Sequence, residues 1–327
     1  MTHSIRRALT TLLCIGALVG AGAAIAKDWP AQAVRIVLPY PPGGASDVTA
    51  RLLGHQLGLA LNASVIVENR PGANGIIANE LVAKSAADGY TVLMANLGPN
   101  AINPAVYARL PYDTAKDFAP VILTTKVPLL IVAAVDSPLT SLEQFIALAR
   151  EKPGQVSFGS AGNGSGSHLA GELLAMTTGT KMLHLPYKGD APALTDLMSN
   201  QVTVALPTAL AGVPHVKSGK LRALAVTSQS RIPSLPDVPT VDEALGTSGF
   251  EAVSWGGLMV PAGTSAPIVP RINTETNRAL QMPDIRTKLS AQGAEVMGGT
   301  PEAFGTFLRS ELSKWKRVAE AAKVRLE

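Results

Sequence analysis

Short, mostly apolar runs alternate with longer helical ones along this chain, and the alternation occurs twice. "AVRIVLPY" (33–40) has the composition of a buried strand, and "SDVTARLLGHQLGLAL" (46–61) has helical spacing with Ser46 or Asp47 as its cap. "SVIVENR" and "GIIANELVAKSA" repeat the pair, Asp88-Gly89 stops the second helix, and "YTVLMAN" (90–96) supplies a third strand. A second unit follows, with "PLLIVAAV", "SLEQFIALAREK", "QVSFGSAG", "SHLAGELLAMTTG", "MLHLPYKG", "DAPALTDLMSNQ", "VTVALPT" and "LRALAVTS". This order predicts an α/β protein in which each unit is a doubly wound, mostly parallel sheet flanked by helices. Single cores stop growing near ~250–300 residues, so a chain of 327 residues is better served by two lobes.

The expected division assigns 27–122 together with 250–327 to the first lobe and 123–249 to the second. The chain then crosses between lobes twice, near 117–126 and 228–252. Candidate linkers are Asp117 to Lys126, the proline-rich "SRIPSLPDVPT" and "FEAVSWGGLMVP". "APIVPRINTETNRALQ" and the amphipathic "PEAFGTFLRSELSKWKRVAEAAK" would return to the first lobe, giving a hinged molecule.

The first residues read as a targeting segment. Arg6 and Arg7 precede an apolar stretch from Leu9 to Ile25, and Ala24-Ile25-Ala26 fits a small-x-small cleavage pattern, so cleavage is expected after Ala26. Cys14, the only cysteine, would leave with it, as would His3. An exported chain without disulfides suits a large domain whose core holds itself together. The expected location is a bacterial periplasm.

Composition excludes several functions. The chain holds 28 Lys+Arg against 24 Asp+Glu, and 26 against 24 once Arg6 and Arg7 are removed. No basic run stands out and aromatics are 4%, which argues against nucleic-acid binding. No G-x-S-x-G, P-loop or complete G-x-G-x-x-G occurs. His168 and Glu172 share a helical face but lack the second histidine of a zinc site, so neither a metal nor a cofactor is expected.

The informative loops are "YPPGGASD" (40–47) and "GSAGNGSGS" (159–167), each between a strand and a helix. In an open parallel sheet, ligands sit at the carboxyl ends of strands. Gly43 and Gly44 leave backbone N–H groups unobstructed, and the helix that follows turns its positive end toward them. Gly162, Gly164 and Gly166, with Ser160, Ser165 and Ser167, repeat the arrangement, and "YKGDAP" (187–192) is a third such junction. Both loops suit an anionic group such as a carboxylate. Asp47 could stabilise its helix dipole or face a ligand ammonium; Lys188 could neutralise an anion or be an ordinary surface lysine.

Longer motifs carry a resemblance. "VIVENRPGANGIIANELVAKSAADGYTVLMAN", "FGSAGNGSGSHLAGELL" and "SWGGLMVPAGTSAPIV", with others between them, cover essentially the whole mature chain. They resemble the substrate-binding proteins of tripartite tricarboxylate transporters, also called Bug receptors. The resemblance implies a two-lobed periplasmic binding protein of Venus-flytrap type that is not an enzyme, expected to be monomeric. The ligand it implies is a small carboxylate: a di- or tricarboxylate, an acidic amino acid or an aromatic acid. Partners would be the permease subunits of such a transporter or, alternatively, a membrane sensor kinase. A remote alternative is a serine hydrolase using Ser165 with His168. The family's first loop maps onto Tyr40, Pro42, Gly43, Gly44 and Ser46, and its second onto Ser160, Ala161, Gly164, Ser165 and His168. Lys188, Gly189, Pro207 and Thr208 lie at further cleft-edge positions, as does Asn96 at the end of its strand. Where relatives often read "GTHAINP" this chain has "LGPNAINP", which would place Asn100 toward the cleft.

Overall fold

The computed structural model describes residues 29–326, so the expected signal segment and Cys14 lie outside the described residues. Strand β1 (Val34–Leu38), helix α1 (Ala45–Leu61), β2 (Val65–Asn69), α2 (Ile76–Ala83) and β3 (Thr91–Asn96) follow the expected order. β1 pairs in parallel with both β2 and β3. Every residue of β3 is buried, as a strand covered on both faces requires. A short helix, α3 (Asn103–Val106), then leads to β4 (Phe118–Pro128).

The second sheet begins immediately after it. β5 (Leu130–Ala134), α4 (Leu142–Glu151), β6 (Ser157–Ser160), α5 (Gly166–Thr178), β7 (Leu183–Pro186) and α6 (Asp190–Met198) come first. β8 (Val204–Ala205), α7 (Ala209–Lys217), β9 (Leu221–Val226) and α8 (Val241–Leu245) complete it, in the strand order β7-β6-β8-β5-β9. The chain then returns to the first sheet as β10 (Val253–Pro261), α9 (Ile268–Gln281), α10 (Pro283–Ser290), β11 (Glu295–Val296) and α11 (Pro301–Ala322). The first sheet is therefore six-stranded, in the order β11-β4-β10-β3-β1-β2.

Both sheets are mixed. The parallel part of the first comes from its β-α-β units, and β10 adds an antiparallel half by inserting between β3 and β4. Two segments expected as linkers are thus strands at the heart of this sheet. Asp117 to Lys126 belongs largely to β4, and "SWGGLMVP" is β10. The glycines that suggested a loop have a packing role. A Cβ on Gly257 would stand 2.5 Å from the Phe304 ring and 2.8 Å from the Ile122 carbonyl oxygen, so α11 packs directly on this strand. The chain leaves the first sheet after Pro128, beyond the expected 117–126 crossover, and rejoins it at Val253.

The two crossing strands are tied together. The Leu129 N–H donates to Thr227 Oγ1 at 2.9 Å, and that hydroxyl donates to the Ala252 carbonyl at 2.7 Å. Backbone bonds from Thr227 N–H to Leu129 O and from Ala252 N–H to Thr227 O, each 3.0 Å, complete the clasp. Thr227 is fully buried. One apolar cluster fills the face of the first sheet covered by α1 and α9, with Ile36, Leu53, Leu258 and Ile272 in it. A second runs from the opposite face into the other lobe, joining Leu93, Trp255 and Trp315 to Ile131, Phe158 and Leu169. Glu311 is buried within this seam, where its carboxylate accepts the indole N–H groups of Trp255 (3.0 Å) and Trp315 (2.9 Å).

Candidate ligand-binding site

β1 delivers the chain to Pro39 and Tyr40, after which Gly43 takes φ +92°, a left-handed conformation suited to glycine. Gly44 caps α1 with no side-chain hydrogen bond, so the first-turn N–H groups have no partner within the helix. Asp47 does not cap this turn. Its carboxylate accepts the Gly43 N–H (3.0 Å), Arg51 Nε (3.0 Å) and Asn69 Nδ2 (2.9 Å), and Asn69 Nδ2 also reaches the Tyr40 carbonyl. Burial acts upward on this carboxyl, but hydrogen bonds from Arg51, Gly43 and Asn69, with the Arg51 charge, outweigh it and bring the pKa down to about 2. At 4% exposure, Asp47 fastens the loop from behind, with its carboxylate taken up by these three donors. Pro42, Gly43 and Gly44 are exposed, and a Cβ on either glycine would meet nothing within 4 Å.

The second loop is braced from within. Ser160, at the end of β6, is buried and its hydroxyl lies 2.6 Å from His184 Nε2. The Ala161 N–H donates to Ser167 Oγ (2.9 Å) and the Gly164 N–H to His168 Nδ1 (3.1 Å). Ser165 caps α5, accepting the His168 N–H at 3.2 Å. The His168 and His184 rings stack face to face with centroids 3.7 Å apart. Burial, followed by the neighbouring His168, lowers the His184 pKa to about 4, so His184 is neutral at pH 7. Asn163 is the exposed residue of this loop, Gly162, Gly164, Ser165 and Gly166 are half-buried, and Ser167 is buried. His168 is 5% exposed and positions the loop. Ser165 Oγ is held by the His168 backbone and by Ser167 Oγ, not by an imidazole, which removes the geometry a hydrolase would need.

The third junction joins the second lobe's loops together. Gly189, at φ +110°, donates its N–H to the Ala161 carbonyl at 3.2 Å. Asp190 accepts both the N–H (3.2 Å) and hydroxyl (2.9 Å) of Thr208, the cap of α7, and burial pushes its carboxyl above the usual range. The Pro207 carbonyl accepts the Leu130 N–H, and Lys188 is exposed beside these groups.

The end of β3 brings the two lobes' loops to one place. Asn96 Nδ2 donates to Ser46 Oγ at 3.0 Å, while the side chain of the next residue, Leu97, lies 3.1 Å from where a Cβ on Gly166 would stand. Asn100, expected to face the cleft, is fully buried. It accepts the Asn96 N–H (2.9 Å) and donates to Asn79 Oδ1 (2.8 Å), so it supports the strand end from beneath. Beside Asn96 lies a cavity of about 100 Å³ with Ser46 and Trp255 on one wall and Thr208 and Leu210 on the other. A larger recess of about 570 Å³, near Tyr107 and Tyr112, is lined by neither loop. Sequence reasoning did not find Trp255, because its segment read as a linker, nor Asn69, which carries no signal beyond its place at a strand end.

A family model described as the tripartite tricarboxylate transporter family receptor, TctC, matches residues 49–324. The chain belongs to this family. As a TctC-family receptor it is a binding protein, not an enzyme. It is similar to the protein BugT of Bordetella pertussis, 37% identical over 313 residues that span 95% of this chain and 96% of that protein. Among solved structures, the TctC-family chain resembles Rhodopseudomonas palustris Rpa4515 with adipate, at 37% identity and TM-score 0.77, over 91% of this chain and 99% of that one. It also resembles MatC from the same organism with bound malate, at 33% identity and TM-score 0.73, over 89% and 99% of the two chains. Among the described residues of this receptor, no helix is long and apolar enough to cross a membrane.

Proposed function

We propose that this TctC-family chain is a periplasmic receptor that holds a small carboxylate between its lobes and presents it to the membrane subunits of a tripartite transporter. The observation that carries this reading is the meeting of two helix N-termini, one from each lobe, on either side of Asn96 and Leu97. Each terminus is opened by glycine, and each offers N–H groups that its own helix cannot use. A hydrogen bond to a charged acceptor contributes roughly 1.5–3 kcal/mol, so several from two lobes offset the entropy of capture. The adipate and malate bound by the two R. palustris relatives support the ligand class. Ser46, Asn96 and Thr208 border the ligand, while Asp47, Asn100, His168 and Asp190 hold the loops that border it.

The test is thermal unfolding of the chain from Lys27, freed of co-purified ligand by unfolding and refolding, against a panel of mono-, di- and tricarboxylates with sugars as controls. A carboxylate at ~100 times its Kd stabilises by about 2.7 kcal/mol, a shift of a few degrees in a protein of this size. A response to sugars with none to any carboxylate overturns the reading.

A further inference from the structure

The glycines of the two ligand loops face different things. A Cβ on Gly43 or Gly44 would meet no atom of the described residues within 4 Å. A Cβ on Gly164 would stand 2.7 Å from Leu326 Cδ1 and 3.9 Å from Val106 Cγ2, and one on Gly166 would stand 3.1 Å from Leu97 Cδ2. Leu97, Val106 and Leu326 all belong to the first lobe, whereas both glycines belong to the second. The second loop therefore carries glycine where side chains of the opposite lobe lie against it, and the missing Cβ is what allows that approach. Gly164 is also tied to the helix that follows. Its N–H donates to His168 Nδ1 at 3.1 Å, and the next residue, Ser165, caps α5.

Leu326 reaches this loop through a built hook. α11 ends at Ala322, Lys323 turns the chain in the left-handed conformation (φ +56°), and the Val324 N–H donates to the Ala319 carbonyl at 2.9 Å. The chain then runs beside the end of α3. There the Leu326 N–H donates to the Val106 carbonyl at 2.8 Å, and Leu326 pairs in parallel with Tyr107. Its side chain is half-buried and packs, like that of Val324, against the apolar cluster that joins the lobes. Lys314 Nζ donates to the Glu251 carbonyl at 3.0 Å, next to the clasp at Ala252. From Lys314 to Ala322 the helix rises roughly 12 Å, so the hook stands off from the clasp that joins the lobes.

We propose that Leu326 is a positioning residue for ligand binding, an apolar latch on the first lobe that seats the Gly164 loop of the second when the lobes close and releases it when they part. This rests on the receptor reading above and adds a contact that holds its closed form. The latch touches the loop and not the ligand, so its contribution to affinity is the same for every carboxylate the protein holds.

The experiment uses calorimetric titrations of the refolded mature chain with adipate, malate, succinate and citrate. Stopped-flow tryptophan fluorescence gives dissociation rates, since Trp255 is a wall of the cavity beside Asn96. Leu326→Ala should weaken each acid that binds by a common factor of about fivefold, the order that a half-buried leucine contact supplies, with the loss appearing as faster dissociation. Leu326→Met keeps the apolar reach and should bind close to the unmodified chain. Gly164→Ala should cost more affinity in the unmodified chain than in Leu326→Ala, where the added methyl has room. The strain of alanine at φ +69° is common to both backgrounds and cancels in the comparison. Unchanged affinity in Leu326→Ala, with or without a lowered urea midpoint, overturns the proposal and leaves the receptor reading intact. Equal losses from Gly164→Ala in the two backgrounds, or a factor that differs between the acids, also overturn it. Binding of none of the four acids to the unmodified chain overturns both.

Discussion

The carboxylate of Asp47 makes a quantitative prediction. With a folded pKa of about 2 against an ordinary value of 3.8, it contributes about 2 kcal/mol to stability at pH 7. Because the folded value is the lower one, this stabilisation is complete above the unfolded pKa and is lost as pH falls toward 2; about 1 kcal/mol remains at pH 3. The side chain is 5% exposed, so solvent screening takes little from this figure. Asp47→Asn removes the charge while keeping the shape. Urea unfolding of both proteins at pH 7 and pH 3 should show the stability gap narrowing by about 1 kcal/mol at the lower pH. A gap that stays constant would mean that the carboxyl titrates normally, and that Arg51, Asn69 and the Gly43 N–H do not hold it as a charge.

Gly44→Val should leave stability within about 1 kcal/mol, because Gly44 has φ −79° and open space above it, yet it should abolish carboxylate binding in the titration. Gly43→Val, at φ +92°, should instead lower the unfolding midpoint by the equivalent of about 1–3 kcal/mol. Thr227→Val leaves the Leu129 N–H without its side-chain acceptor and should cost about 1–3 kcal/mol by urea unfolding. Gly257→Ala pushes a methyl against Phe304 and the Ile122 carbonyl, for a loss of about 1–3 kcal/mol by the same measurement. His184 is held neutral, so its stabilisation is present above pH 6.5 and is lost as pH falls toward 4; His184→Gln should flatten the stability profile across that window.

The positions of the two glycine-rich loops were legible because strand, turn and helix each leave a local signal, and the glycine needed at positive φ is visible as a letter. What the side chains do there was not. Asp47 and Asn100 are polar residues at loop positions, which is what a ligand contact looks like in sequence, yet each is spent on a partner 21 or 22 positions away and on groups four positions away. β10 failed to register as a strand for a related reason. Its Gly257 is required by Phe304, nearly 50 residues later, and a strand buried between two antiparallel neighbours lacks the alternation that marks a half-exposed one. The cavity at Asn96 was equally hidden, since its walls come from strands and loops of both lobes.

One hydroxyl shared by both crossing strands makes the link between the lobes a pin in place of two independent cords. Lobes on two free cords could slide as well as rotate, and a ligand would have to arrest every such motion. Under the receptor reading proposed above, a pin at Leu129, Thr227 and Ala252 would leave chiefly a rotation, and one small molecule would have chiefly one motion to arrest. About 5.5 kcal/mol of preferential binding then turns a population from 1:99 to 99:1. A membrane partner of the kind proposed above would then meet two shapes, and the solute concentration would set how often it meets each.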